Sequence, residues 1–419
     1  MRSLRPLLYL TLLSILSMLA VASERHDDGL PLLSDSWEQL AQLTASDGLG
    51  GDLFGYSTSK SDNTVVIGAP AAAIGSNSKQ GAAYVFVEGA NGWSNMTQTA
   101  KLTASDGRTG DMFGTSVYVC HNVVVVGMGP SSRGSKAYVF VEPADGWKDM
   151  TETAQLTASD GVVGDHFGWA VSVSLNTIVV GDFETPNSSQ GAAYVFSKPA
   201  KGWANMTETA KLTAADGQQG DLFGISVAAN QGTNVVVGAT QADNSGGGAA
   251  YVFLEPKGGW KTTSQPNAEL TASDRDANQN FGQSVAANGG TIVVGGKSSS
   301  GSGAAYVFVE PPTGWTDATE TAQLTNPLDR HTDCFSCSVG VSGNVIVVGS
   351  PKASGGVVYV FHKPARGWKT TSRFDAKLIP PDHKKGALFG FSLGFDSILA
   401  AGAPDGCSQG QGEGYVFGP

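Results

Sequence analysis

Charge is scarce in this chain, cysteine is scarcer, and a long apolar run occurs only at its start. Charged residues make up 15% of the 419, with a formal net charge of −11. No cationic excess is available to follow a phosphate backbone or an anionic bilayer, so nucleic acid is not an expected partner. Four cysteines, at 120, 334, 337 and 407, are too few for a disulfide scaffold and can act only as local staples. Beyond residue 22 no apolar run approaches the roughly 20 residues that span a bilayer, so no transmembrane segment is expected. The six histidines enter no repeated acid/base constellation and no phosphate loop is present. No enzyme activity and no cofactor are expected.

What the chain does have begins with Arg2 and Arg5 before an apolar stretch closing on Ala20-Val21-Ala22. This is the pattern of a secretory signal peptide over residues 1–22, followed by a linker over 23–34 and one domain over 35–419. Secretion and an extracellular, monomeric protein are the expectation. The cysteines then meet an oxidising compartment, and the sequons at Asn95, Asn187 and Asn205 become candidate glycosylation sites.

The dominant feature is a repeat. Phe-Gly stands at Phe54, Phe113, Phe167, Phe223, Phe281 and Phe389, with a degenerate copy at Phe335-Ser336, in steps of 59, 54, 56, 58, 54 and 54 residues. Periods of this size indicate propeller blades or solenoids. Within one repeat four short strand signals follow one another at 54–58, 64–70, 82–87 and 98–103, each bounded by turn residues. The second and third are nearly continuous apolar runs, so their sheet must be covered on both faces. Four-stranded sheets packed around an axis satisfy that need and leave only short edges. Phe is expected to begin the inner strand with its ring between blades. The Gly-Trp step, at Trp93, Trp147, Trp203, Trp260, Trp315 and Trp368, is expected to begin the outer one. Trp37 opens an outer-strand sequence with no blade before it, and 415–417 is a third strand with no fourth, so the two should pair and close a ring of seven blades.

Phe-Gly-x-Ser-Val at 223–227 and 281–285, Val-Val-Gly-Ala at 236–239, Gly-Ala-Pro at 68–70 and 402–404, and Ala-Ala-Tyr-Val-Phe at 192–196 and 304–308 together resemble the FG-GAP repeats of the integrin α-subunit propeller. The resemblance implies an all-β, seven-bladed propeller and, by analogy, a protein-binding loop face. The calcium loops of that family are not matched, because the turns between inner and second strands lack enough oxygen ligands.

Carboxylates recur instead in Asp-Gly-x-x-Gly-Asp-x-Phe-Gly, as the pairs Asp47/Asp52, Asp106/Asp111, Asp160/Asp165 and Asp216/Asp221. Hydrogen bonds to their own loop backbone are the expected role, with weak cation binding as the alternative. In blade six His331, Asp333, Cys334 and Cys337 invite a zinc reading, yet two cysteines on a strand started by Phe335 would splay apart. A disulfide between Cys334 and Cys407 is expected instead, with Cys120 a buried free thiol. Blade six is also the place to look for an enzyme site. The nucleophile-elbow pattern at 390–394 falls on the seventh inner strand, not on a strand-turn-helix, so Ser392 is not expected to be catalytic. Function is expected on the variable loops 71–80, 131–136, 183–190, 241–247, 297–302 and 405–413, over a rigid scaffold. The expected role is an extracellular binding or adhesion module for a protein ligand. A lectin-like carbohydrate binder with repeated shallow sites is the alternative.

Overall fold

The computed structural model describes residues 36–130, 134–184, 190–242, 247–275, 279–297, 303–326, 333–382, 385–405 and 410–419. The expected signal peptide at 1–22 and linker at 23–34, together with Asn187, His331 and Cys407, lie outside them. The described residues form strands in seven sheets and no helix, and the unit Trp37–Pro419 is compact. No helix among the described residues is long and apolar enough to cross a membrane.

Blade one shows the unit. Ser57–Ser61, Thr64–Ala69, Ala82–Val87 and Ala100–Thr103 pair antiparallel in that order, from inside to outside. The second strand is buried at every position, as its unbroken apolar sequence requires of a sheet with a neighbour on each face. A fifth, two-residue strand comes from the next repeat: Met150–Thr151 lies parallel to Leu102 and Thr103. The Gly-Trp step therefore does not begin the outer strand. It begins a segment that first crosses to the preceding blade and then returns, so that among the described residues six outer edges are covered by the following repeat, all but that of blade six.

The ring closes as the strand signals at the two ends require. Glu38–Thr44 pairs antiparallel with Glu413–Gly418, from Glu38 opposite Gly418 to Leu43 opposite Gly414. At this seam the buried Lys60 ammonium lies 2.8 Å from the Asp396 carboxylate. Burial raises the pKa of Asp396, but Lys60 and the amides of Ile398 and Ser397 outweigh it, and the carboxyl is held below its ordinary range.

Seven apolar clusters fill the seams between blades. Each Phe of the repeat sits in one. Phe54 meets Tyr84 and Phe86 edge-on at 5.5 and 6.0 Å, in a cluster shared with Ala400 and Val416 of blade seven. Such pairs contribute about 0.5–1.5 kcal/mol beyond area burial.

In six blades the Phe-Gly step, Phe335-Ser336 in blade six, lies in a turn that precedes the inner strand, which begins two residues later; in blade four the strand begins at Phe223 itself. An i to i+3 bond closes this turn in all seven, from Tyr56 N to Leu53 O at 3.1 Å in blade one. Gly55 and Gly114 take φ of 96° and 93°, and a Cβ on Gly114 would fall 2.5 Å from the Ala82 carbonyl of the preceding blade. Glycine is therefore required for both conformation and approach. The serine at the head of the inner strand then ties the blade to its successor: Ser57 Oγ donates to Gly114 O at 2.8 Å, and Ser392 Oγ donates to Gly55 O at 2.8 Å across the closing seam. Ser392 of the nucleophile-elbow pattern is thus one of six such pins.

Candidate functional site

The paired aspartates divide the work between them. The second of each pair caps its own loop: Asp52, Asp111, Asp165 and Asp221 accept the amides of Leu49, Arg108, Val162 and Gln218 at 2.8, 2.8, 3.0 and 2.6 Å. The first does something the loop sequence does not predict. Asp47, Asp106, Asp160 and Asp216 accept the hydroxyls of Tyr84, Tyr138, Tyr194 and Tyr251 at 3.0, 3.0, 2.9 and 3.4 Å. Lys101, Lys136 and Lys211 add ion pairs to the first three, each at 2.5 Å. Burial would raise the pKa of Asp47, but Lys101 and Tyr84 outweigh it and hold the carboxyl below its ordinary range. Burial pushes the Tyr84 hydroxyl well above its own range, so it remains a donor. Each loop is thereby tied to the third strand. Among the described residues no group of three or more metal-ligating side chains comes together.

The exposed sequon residues Asn95 and Asn205 accept the amides of Gln42 and Gln155 on the preceding blade, both at 2.8 Å through Oδ1. Asp149 and Asp317 do the same for Lys101 and Glu269 at 2.7 and 2.9 Å. The position needs an acceptor oxygen, which asparagine and aspartate both supply. A glycan would attach at Nδ2 and leave that bond in place.

In blade six the expected pairing of Cys334 with Cys407 is not formed: Cys334 is bonded to Cys337, with Cα atoms 5.5 Å apart. The two do not splay, because the strand begins only at Ser338 and Cys334-Phe335-Ser336-Cys337 is the turn itself. Cys120 is a free thiol that is half-buried rather than buried, and burial raises its pKa.

Repeat-breaking side chains converge in blade three instead. The residue after the repeated glycine of the second strand is Ala69, Met128, Ala239, Gly296, Ser350 or Ala403 elsewhere, but Asp182 here. The residue before Phe is Leu53, Met112, Leu222, Asn280, Cys334 or Leu388 elsewhere, all with positive φ, but His166 here, outside that set. Trp169 follows the glycine, and Ala170 replaces the pinning serine.

The four replacements lie together. Asp182 is 1% exposed, and its Oδ1 accepts the His166 amide at 2.9 Å. Among the described residues its Oδ2 is buried with no hydrogen-bond partner, as is Nδ1 of His166, which lies 3.8 Å from Glu184 Oε2. Burial, reinforced by the negative charge of Asp165, pushes the Asp182 carboxyl up to about 7, against the pull of the His166 and Glu184 amides. The rings of His166, Phe183 and Trp169 meet beside it, tilted for His166 and Phe183 with centroids 4.4 Å apart and edge-on for Trp169 and Phe183 at 5.1 Å. Trp169 and Phe183 are half-buried and the Glu184 side chain is exposed.

The cluster stands where the entry to the inner strand meets the start of the loop at 183–190, on the variable-loop face. Tyr56 and Phe391, which occupy the Trp169 position in blades one and seven, touch each other at 5.1 Å. That position therefore borders the axis where neighbouring blades converge. A chain read for what its repeats share passes over this site; aligning the seven repeats column by column exposes it.

The model of the FG-GAP repeat matches residues 37–86, 96–140, 150–196, 206–253 and 265–308, more than half of the chain. The chain belongs to this family, and its fold is the seven-bladed β-propeller. No curated protein matches it.

Proposed function

We propose that this propeller is a secreted, non-catalytic binding or adhesion module that presents its loop face to an extracellular protein ligand, with the blade-three cluster as part of the contact. The observation that supports the reading is the buried Asp182 carboxylate, with one oxygen unpaired among the described residues, beside half-buried aromatic rings. A carboxyl raised toward neutrality by burial and a neighbouring charge is more often found at functional sites than in scaffolding. Trp169 supplies the kind of anchor on which interface energy concentrates. The chain acts as a monomer, and glycans at Asn95 and Asn205 would stand on its outer rim, clear of this face.

The test is a screen of displayed extracellular domains and a glycan array against the full chain, with Trp169→Thr and Lys148→Ala in parallel. Protein hits lost with Trp169→Thr and kept with Lys148→Ala, an exposed residue of the outer rim, support the reading. Hits indifferent to Trp169 would overturn the placement. A second reading, a carbohydrate site, draws on the same aromatic rings beside a carboxylate. Array signals that need Trp169 would replace the protein ligand with a glycan at that site.

A further inference from the structure

Blade six is the one blade whose Phe-Gly turn has lost its glycine. Ser336 occupies the third position with φ of 66°, where Gly55, Gly114 and Gly282 take 96°, 93° and 96°. A residue with a Cβ is disfavoured there. The same blade is the one whose turn has cysteines at its first and fourth positions, and the Cys334–Cys337 bond spans the pair already joined by Cys337 N to Cys334 O at 3.2 Å. A third change lies across the seam. Where blades one, four and seven end their second strand in Ala69, Ala239 and Ala403, blade five has Gly296, whose amide donates to Ser336 Oγ at 3.1 Å and whose carbonyl accepts from it at 3.0 Å. A Cβ on Gly296 would fall 2.9 Å from Phe281 Cα, so the glycine keeps this stretch of backbone close to the Phe-Gly turn of its own blade while Ser336 bonds to it from across the seam.

We propose that the Cys334–Cys337 disulfide is a redox-cleavable clamp that holds the Phe335-Ser336 turn in its left-handed conformation, so that thiol–disulfide exchange here loosens blade six. Both cysteines are half-buried, within reach of a small reductant. One thiolate of a dithiol attacks one sulfur and the Sγ–Sγ bond breaks. The reductant's second thiolate resolves the mixed disulfide. The reductant leaves oxidised, and its two electrons with two protons reside on Cys334 and Cys337 as thiols. Without the clamp, Ser336 is free to leave positive φ, which breaks its bonds to Gly296 and frees the head of the inner strand Ser338–Ser342.

Hydrogen exchange of the full chain, read by mass spectrometry before and after treatment with dithiothreitol, tests the clamp in wild type and Ser336→Gly. Reduction should speed exchange across 333–342 in wild type by about tenfold, equivalent to about 1.4 kcal/mol of local opening. Blades one and two should not change. In Ser336→Gly the same reduction should change exchange by less than about twofold, because glycine holds the turn unaided. A Cys334→Ala, Cys337→Ala variant should behave as reduced wild type, and adding Ser336→Gly to it should restore protection. An unchanged wild type on reduction, or a Ser336→Gly protein as sensitive as wild type, would overturn the proposal.

Discussion

In blade six the lost glycine is answered by two cysteines and by hydrogen bonds to Gly296 on the neighbouring blade, whereas in blade three, with its changes at His166, Trp169, Ala170 and Asp182, two buried polar atoms, Asp182 Oδ2 and His166 Nδ1, have no hydrogen-bond partner among the described residues. Blade six keeps its serine pin, with Ser338 Oγ donating to Gly390 O at 2.7 Å; blade three has none at Ala170. Blade six is not free of unpaired atoms, since among the described residues Asp333 Oδ2 and Trp368 Nε1 also lack partners. Both, however, stand at positions where most blades carry the same residue, aspartate or tryptophan. A departure from a repeat that is matched by a second and third departure preserves the architecture. One that accumulates a raised carboxyl, an unbonded imidazole nitrogen and half-buried rings does not serve the ring, and this makes blade three the better place to seek a ligand.

The largest expected effects would show that the two blades share one core. Phe167 and Phe335 are both fully buried in their seams, at 0% and 1% exposure. Phe167→Ala and Phe335→Ala should each cost about 3–5 kcal/mol in denaturant unfolding. If only one of them is costly, the blades are not equivalent scaffolds and the comparison fails.

Next comes the carboxylate. Folding raises the Asp182 pKa from its ordinary 3.8 to about 7. The folded state therefore binds the proton more tightly than the unfolded chain, and stability is lost as pH rises through that interval. Asp182→Asn keeps an oxygen for the His166 amide and removes the charge. It should stabilise the protein by about 2–4 kcal/mol at pH 8, with the gain shrinking toward zero near pH 4. Thermal unfolding across that range reads it directly, and a variant destabilised at pH 8 would make Asp182 a structural residue.

The smallest effects concern the pins. Ser338→Ala should cost about 1 kcal/mol and Ala170→Ser should recover a similar amount by reaching the Gly224 carbonyl. Chemical denaturation of the two variants checks both, and a destabilising Ala170→Ser would mean that blade three has repacked around its missing serine.

The fold was legible because period, strand pattern and end arithmetic all pointed to one ring. The outer-strand sequence that ends at Leu43 has only the last strand to pair with, and Leu43 lies opposite Gly414. What escaped were features set by turns and by distant partners. Phe is a strand former, so the Phe-Gly step reads as strand, yet the positive-φ glycine makes it a turn, and in blade six the same turn brings Cys334 to Cys337 instead of splaying them. Asp47 was assigned to its own loop because Tyr84 is 37 residues away in sequence, and only the folded blade brings its hydroxyl to 3.0 Å. The blade-three cluster went unseen because each replacement is unremarkable alone, and their meeting depends on the register between an entry loop and a second strand.

Trp169→Thr, which installs the residue type that blade two carries at Thr115, puts the account to its most direct test. Its affinity for whatever protein the screen recovers and its unfolding free energy should be measured on the same preparation. The expected result is a loss of binding of at least about thirtyfold, roughly 2 kcal/mol, with stability changed by less than about 1 kcal/mol. Unaltered binding together with a stability loss above about 3 kcal/mol would show that blade three, like blade six, departs from the repeat only to hold the ring together.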